Sequence, residues 1–153
     1  MSHLAEFNIG RLNHDAGDPR GVDYVAVAAV VNEVAERSPG FVWKYETELG
    51  GGIERLVDGD PRVVVNLSVW EDADALEHFV WNTLHKKIYL RRDEWFEPLS
   101  RETMVLWHVA EGHRPTLDEA MERLDALREN GPTERAFDWA HLKAECGSAL
   151  AAE

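Results

Sequence analysis

Cysteine is almost missing from this chain, and positive charge is scarce. The single thiol, Cys146, rules out an internal disulfide framework, and with no histidine beside it in sequence it reads as incidental. Sixteen Lys and Arg stand against 29 Asp and Glu, a formal net charge of −13. Nucleic-acid binding is driven by cationic side chains that release phosphate counterions, and anionic membrane surfaces select the same residues. Neither partner is expected: no nucleic acid, no membrane. No apolar run approaches the roughly 20 residues of a membrane span, and Met1-Ser2-His3-Leu4-Ala5-Glu6 lacks a signal-peptide pattern. A cytoplasmic location is the expectation. Also missing are Cys/His clusters with zinc spacing and a nucleophile elbow. Gly50-Gly51-Gly52 lacks the Lys-Ser/Thr of a phosphate-binding loop. No metal and no cofactor are expected.

What the chain does have is an ordinary globular composition, 44% hydrophobic and 29% charged, in 153 residues. That is enough for one domain with a buried core. The domain is read as residues 1–142, with a weakly ordered tail over 143–153. His3 to Leu12 alternates as a first strand, with Leu4, Glu6 and Asn8 on one side. After a turn-rich loop, His14 to Arg20, Asp23 is read as the cap of a helix running to about Arg37 and stopped by Ser38-Pro39-Gly40. Phe41 to Thr47 reads as a second strand with Phe41, Trp43 and Tyr45 on one face. Val63 to Trp70 is the third. Asp72 caps a long helix, about 73–94, whose apolar face is Leu76, Phe79, Val80, Leu84 and Ile88, with a break allowed near its end. Met104 to Val109 is the fourth strand. Thr116-Leu117-Asp118-Glu119 has the capping-box form and opens a helix that ends at Asn130-Gly131-Pro132. Thr133 to Leu142 reads as a last short helix.

This order predicts an α+β fold of the ferredoxin-like β-α-β-β-α-β type with extra C-terminal helices. Two helices would cover one face of a four-stranded antiparallel sheet, leaving the other open. A second subunit is the simplest cover, so a homodimer is expected.

The third strand carries the strongest functional signal. Val63, Val65, Leu67 and Val69 make one face apolar, while Asn66, Ser68 and Trp70 share the other with Val64. Each buried polar group must find a partner or cost about 1–3 kcal/mol. Three such groups in register read either as the wall of a small-molecule pocket or as the wet face of a sheet. Six Trp are many for this length, and such rings line cores and aromatic-ligand pockets alike.

The strand order, with Val-Asn-Leu-Ser-Val-Trp-Glu leading into the second helix, resembles the dimeric α/β-barrel superfamily that includes antibiotic-biosynthesis monooxygenases. Several blocks resemble one bacterial family within it, DUF3291. They are Leu4 to Ile9, Ser38 to Trp43, Asn66 to Glu71, Arg91 to Phe96 and Gly112 to Thr116. The resemblance implies a fold and a dimer, and no settled activity. Cofactor-independent oxygenases of anthrone-like phenols use an Asn and a Trp four residues apart on the third strand, with an Arg later on the second helix. Asn66 and Trp70 have that spacing, and Arg91 or Arg92 would fill the third role. A second branch of the superfamily degrades haem with Asn, Trp and an axial His, a set that Asn8, Trp70 and His85 would imitate at the wrong spacing.

In oxygenase chemistry of this kind the substrate supplies the electrons. The protein stabilises the substrate anion and excludes water. Asn66 is expected to donate an amide hydrogen bond, Trp70 an indole N–H and a flat wall, and Arg91 or Arg92 a charge-assisted contact. Such an arginine would otherwise pair with Glu6 or Glu94. Glu6 is a candidate general base if burial raises its pKa, and His85, near Trp81 and Arg92, a candidate for proton transfer. Asn8, Trp43, Tyr45, Ser68, Trp81, Trp95 and Trp107 are the expected ligand-binding residues. His113 is expected to fix its loop through a backbone hydrogen bond. The leading expectation is therefore a monooxygenase-like enzyme acting on an aromatic or polyketide-like molecule. A non-catalytic binding or sensing protein is the alternative, and a haem protein the lesser one.

Overall fold

The computed structural model describes residues 2–14, 18–45, 62–82, 92–98, 102–142 and 144. The elements run β1 (Ser2–Arg11), α1 (Pro19–Arg37), β2 (Phe41–Lys44), β3 (Val63–Trp70), α2 (Ala73–Asn82), α3 (Arg92–Trp95), β4 (Met104–Ala110) and α4 (Leu117–Asn130). The four strands form one antiparallel sheet in the order β2-β3-β1-β4. The fold is α+β, and β1 is central.

Register sorts the side chains into two faces. Leu4, Glu6 and Asn8 of β1 lie opposite Trp70, Ser68 and Asn66 of β3, and opposite His108, Leu106 and Met104 of β4. This is the first face. The second carries Ala5 and Phe7, paired with Val69 and Leu67 and with Trp107 and Val105. Each face has its own core. On the first, Leu4, Trp70 and Leu106 pack with Ala35 of α1, with Leu76, Phe79 and Val80 of α2, and with Phe137 and Leu142. On the second, the β-strand valines, Phe7 and Trp107 pack with Ala120, Leu124 and Leu127 of α4.

That second core changes one expectation. The face that the sequence reading leaves for a second subunit is occupied by α4 of the same chain. An open apolar face therefore no longer argues for a dimer. The α4 stripe was legible as amphipathic, but its destination was not.

Other boundaries moved for identifiable reasons. Helix α1 starts at Pro19 rather than at Asp23. Proline suits the first helical position, where its missing N–H would be unpaired anyway. Strand β2 has a register shift between Phe41 and Trp43, so these two do not share a face. Phe41 meets Trp70 in the first core, while Trp43 and Tyr45 pack against the second. Helix α2 is described over Ala73–Asn82, and Leu84, His85, Ile88 and Arg91 lie outside the described residues, as do Glu46 and Thr47. The Asp72 cap is present, accepting from the Ala75 N–H at 2.8 Å.

Residues 133–138 are not helical. Thr133 and Ala136 close a tight turn, and Phe137 exchanges two backbone hydrogen bonds, of 2.8 and 2.9 Å, with Leu106 on the outer edge of β4. Ala136 faces the second core and Phe137 the first, the alternation of a strand. Helical backbone resumes at residue 139, where Asp138 caps it by accepting from the His141 N–H. No helix among the described residues is long and apolar enough to cross a membrane.

Helix α4 begins as predicted, with Thr116 Oγ1 accepting from the Glu119 N–H at 3.1 Å. The other arm of the capping box is diverted. The Glu119 carboxylate accepts from Trp107 Nε1 at 3.0 Å and pairs with His113 Nε2 at 2.8 Å. His113 thus holds its loop twice, through this side-chain pair and through the expected backbone hydrogen bond, its N–H donating to the Ala110 carbonyl at 3.0 Å. The helix stops at Gly131, whose N–H donates to the Leu127 carbonyl at 2.9 Å.

The turn between α1 and β2 is a sharper constraint. Gly40 has φ +82°, and a Cβ there would collide with the Ala75 side chain at the start of α2. Gly112 has a similar φ, +88°, with nothing within 4 Å. Gly112→Ala should cost about 1–2 kcal/mol, the left-handed backbone penalty alone. Gly40→Ala should cost roughly 1–3 kcal/mol more, because α2 must also move. Urea midpoints of the two variants check this; equal midpoints would show that α2 accommodates the methyl without loss.

Candidate functional site

On the first face, β1 and β3 assemble an unbroken row of polar side chains. Trp70 Nε1 donates to Ser68 Oγ at 3.0 Å, and the Ser68 hydroxyl donates in turn to Glu6 Oε2 at 3.5 Å. From the other side, Asn66 Nδ2 donates to Asn8 Oδ1 at 3.1 Å, and Asn8 Nδ2 donates to Glu6 Oε1 at 2.5 Å. Both arms point their donors at one carboxylate. Their order along the sheet follows from the pairing of Glu6 with Ser68 and of Asn8 with Asn66.

Glu6 is only 8% exposed, and no ion pair joins it to a cation among the described residues. Burial pushes its pKa from 4.5 up to about 7, against the opposing pull of the hydrogen bonds from Asn8 and then Ser68. The ranking matches the geometry, since the Asn8 contact is a full ångström shorter. A carboxyl group that changes charge near neutrality, held by aligned donors, is equipped for proton transfer.

The row runs from core to surface. Trp70 is 1% exposed, stacked on Phe79 with ring centroids 5.0 Å apart and edge-on to Phe41 at 5.5 Å. Asn66 at the far end is exposed, Asn8 half-buried. The Trp70 N–H, expected to meet a ligand, is donated to Ser68. The sequence pattern showed that Trp70 shares a face with Asn66; it did not show the rings that enclose it. Apolar Leu106 and half-buried Met104 flank the row on the β4 side.

The remaining predicted residues divide. Trp81 packs, half-buried, against the first core, and Trp95 is buried, its carbonyl accepting from the Asn13 N–H. Trp43, Tyr45 and Trp107 belong to the second core, across the sheet from Glu6. Arg92 lies in α3, its side chain outside the described set, with Arg91 and His85 wholly outside it. Of the haem-type set, Asn8 joins the polar row and Trp70 is enclosed by aromatic rings. Among the described residues no group of three His, Cys, Asp or Glu is placed to hold a metal ion.

Two residues escaped the sequence reading. Phe96 lies over Gly10, where a Cβ would come within 2.8 Å of its ring. Gly10 follows Asn8 on the same face, so Phe96 is an aromatic wall beyond the exposed end of the row. A glycine inside a strand often marks such a close approach, and that signal was available. Lys44 is the other. It pairs in register with Ser68 and reaches Glu36 of α1, Nζ to Oε1 3.0 Å. The β2 register shift hid its face.

The raised pKa of Glu6 has a thermodynamic consequence. The folded state holds the proton more tightly than the unfolded one, so Glu6 favours folding most at low pH, and this contribution is lost as pH rises from 4.5 through about 7. The loss amounts to about 3 kcal/mol at 1.36 kcal/mol per pH unit. Glu6→Gln should flatten stability over this window, and denaturant titrations from acid to neutral pH check it. A wild-type curve parallel to that of the variant would refute the raised pKa. Asn8→Ala should drive the Glu6 pKa higher still, as read by carboxyl NMR titration.

Comparison with known proteins follows this geometry. No curated protein matches the chain. A protein of unknown function from Nitrosomonas europaea is similar over 76% of this chain and 97% of its own, at 10% identity and TM-score 0.50. A conserved protein from Methanosarcina mazei Go1 is similar over 72% and 93%, at 12% identity and TM-score 0.47. A protein from Pseudomonas aeruginosa is similar over 76% and 97%, at 11% identity and TM-score 0.49. At such identity the Nitrosomonas likeness speaks to fold alone. Sequence reaches further: the match to the family described as Domain of unknown function (DUF3291) runs over residues 3–151, and the chain belongs to that family.

Proposed function

We propose that this protein is a cofactor-independent monooxygenase-like enzyme that binds a small aromatic or polyketide-like molecule beside the Glu6 row. Glu6 is the general base. The observation that carries the reading is a buried carboxylate, poised near neutrality, at which two hydrogen-bonded arms converge. The strand order β2-β3-β1-β4 suits the ferredoxin-like arrangement expected of such barrels, and Asn66 and Trp70 keep the spacing that the resemblance singles out.

The chemistry balances without a cofactor. Glu6 takes a proton from an activated CH2 flanked by aromatic rings, and the negative charge passes from the carboxylate to the substrate carbon and its conjugated oxygen. Dioxygen accepts the electrons and bonds to that carbon. Protonation by Glu6 gives a hydroperoxide. Loss of the remaining C–H proton and cleavage of the O–O bond release water and leave a ketone. The net conversion is CH2 plus dioxygen to C=O plus water. Asn66, exposed at the end of the row, has a second amide N–H for a substrate oxygen. Trp70 is a positioning residue, orienting the Ser68 hydroxyl toward Glu6. Phe96 offers a planar wall.

The test is oxygen uptake with 1,8-dihydroxyanthrone. Wild type should consume oxygen and substrate in equal amounts above the protein-free rate, with a rate that climbs as pH rises through about 7. Glu6→Gln should lose roughly 100-fold or more, the usual worth of a general base. Asn66→Ala should lose most of the rate while folding normally. Tight binding of the anthrone without oxygen uptake would instead identify a binding or sensing protein.

A further inference from the structure

The two arms that meet at Glu6 differ in how they can respond when its charge changes. An indole N–H only donates. Trp70 therefore commits Ser68 Oγ as an acceptor, at 3.0 Å, and leaves the hydroxyl hydrogen for Glu6 Oε2, at 3.5 Å. That arm runs one way. The other arm is built of two amides, each with a donor corner and an acceptor corner. Asn66 Nδ2 donates to Asn8 Oδ1, and Asn8 Nδ2 to Glu6 Oε1. Neither amide has a further hydrogen bond among the described residues to hold it in that sense.

Once Glu6 holds a proton, its buried O–H must find an acceptor. The Ser68 side presents a hydrogen. Asn8 Oδ1 is the acceptor left, and a half-turn of the amide about Cβ–Cγ brings it there. The Asn8–Glu6 separation of 2.5 Å suits this, being short for an N–H donor and within the O–H···O range of about 2.5–3.0 Å. Asn8 Nδ2 then faces Asn66, which turns likewise to offer Oδ1. The exchange carries Asn66 Nδ2 to the outward position that Oδ1 held.

No other charged group sets the sense of this arm. Lys44 of β2 pairs with Glu36 of α1, and His108 of β4 and His141 pack their rings on Phe137. The described titratable side chains of α1 and α2 are exposed. None of these groups hydrogen-bonds to Asn8 or Asn66.

We propose that Asn8 and Asn66 reverse together when Glu6 takes a proton, and that the row thereby selects a substrate whose ketone oxygen lies at Asn66 and becomes an enolate. The proposal rests on the Glu6 row being the ligand site, and adds which substrate oxygen is read and when. The transfer breaks a substrate C–H bond, forms O–H on Glu6 and leaves the electron pair on the substrate. Before it, the outward position presents an acceptor, which gives a carbonyl nothing. After it, the same position presents an N–H to the oxygen that now carries charge. A donor gained only as the enolate forms speeds the reaction instead of merely tightening the complex. Asn8 is the positioning residue that couples the two events.

The probes are 1-tetralone, whose oxygen only accepts, and 1-naphthol, of similar size, whose hydroxyl donates. Both stay uncharged through neutrality. Dissociation constants come from NMR titration of methyl signals, well below and well above the Glu6 midpoint of about 7. In wild type the ketone should bind roughly three- to tenfold tighter in acid, and the naphthol tighter in base by a similar factor, the scale of one hydrogen bond. The bare charge of Glu6 would instead move both uncharged probes in the same direction. Asn8→Leu, similar in size and unable to relay the change, should abolish both pH dependences. Glu6→Gln, which never changes charge, should do the same. Thermal melts confirm folding, and Glu6→Gln decides the matter if Asn8→Leu does not fold. Equal affinities in acid and base, a pH dependence of one sign for both probes, or opposite signs that persist in either variant would overturn the inference and leave the Glu6 site standing. Failure of both probes to bind wild type would remove the site and this inference together.

Discussion

The antiparallel pairing of β1 with β3 is the constraint on which the rest depends. It sets Glu6 against Ser68 and Asn8 against Asn66, and in the same stroke sets Phe7 against Leu67. A slip of one residue in either strand would turn its apolar set toward the polar row and its polar set toward α4. Buried amides and a carboxylate would then lack partners, at about 1–3 kcal/mol each. The hydrophobic second face and the hydrogen-bonded first face thus enforce the same alignment, and the site is a by-product of correct packing.

Within that frame Glu6 is held in tension. Apolar Leu106 on one flank and the aromatic group of Phe41, Trp70 and Phe79 nearby favour the neutral acid. The amide of Asn8 and the hydroxyl of Ser68 favour the anion. Burial outweighs the two donors, and the group settles near neutrality instead of in the usual carboxylate range. A carboxylate so placed weakens the fold at neutral pH, and retaining it there makes physical sense where the proton has work to perform.

Much of this was legible because it obeys short-range rules. The period-two pattern of Val63 to Trp70, the Asp72 and Thr116 caps and the Asn130-Gly131-Pro132 stop each depend on a few neighbouring residues. The same periodicity put Leu4, Glu6 and Asn8 on one side of β1, so the polar row was visible in halves. What stayed hidden depends on distant parts of the chain. The β2 register shift reverses one strand's faces partway along, parting Phe41 from Trp43 and concealing Lys44. Phe137 becomes a strand residue because Leu106 offers it a free sheet edge, against the helical tendency of its neighbours. Trp70 looked like a ligand contact until Phe41 and Phe79 closed around it. No local pattern reveals which helix covers which face.

The most central strand of the sheet is also the first to be made. β1 must find β3 more than fifty residues later and β4 about forty beyond that, with Phe137 sealing the last edge. At ribosomal speeds of about 5–20 residues per second, its apolar side waits several seconds for cover. Such long-range closure folds slowly and leaves a sticky nascent ribbon. A delay between synthesis and burial of that strand is thus built into the topology itself.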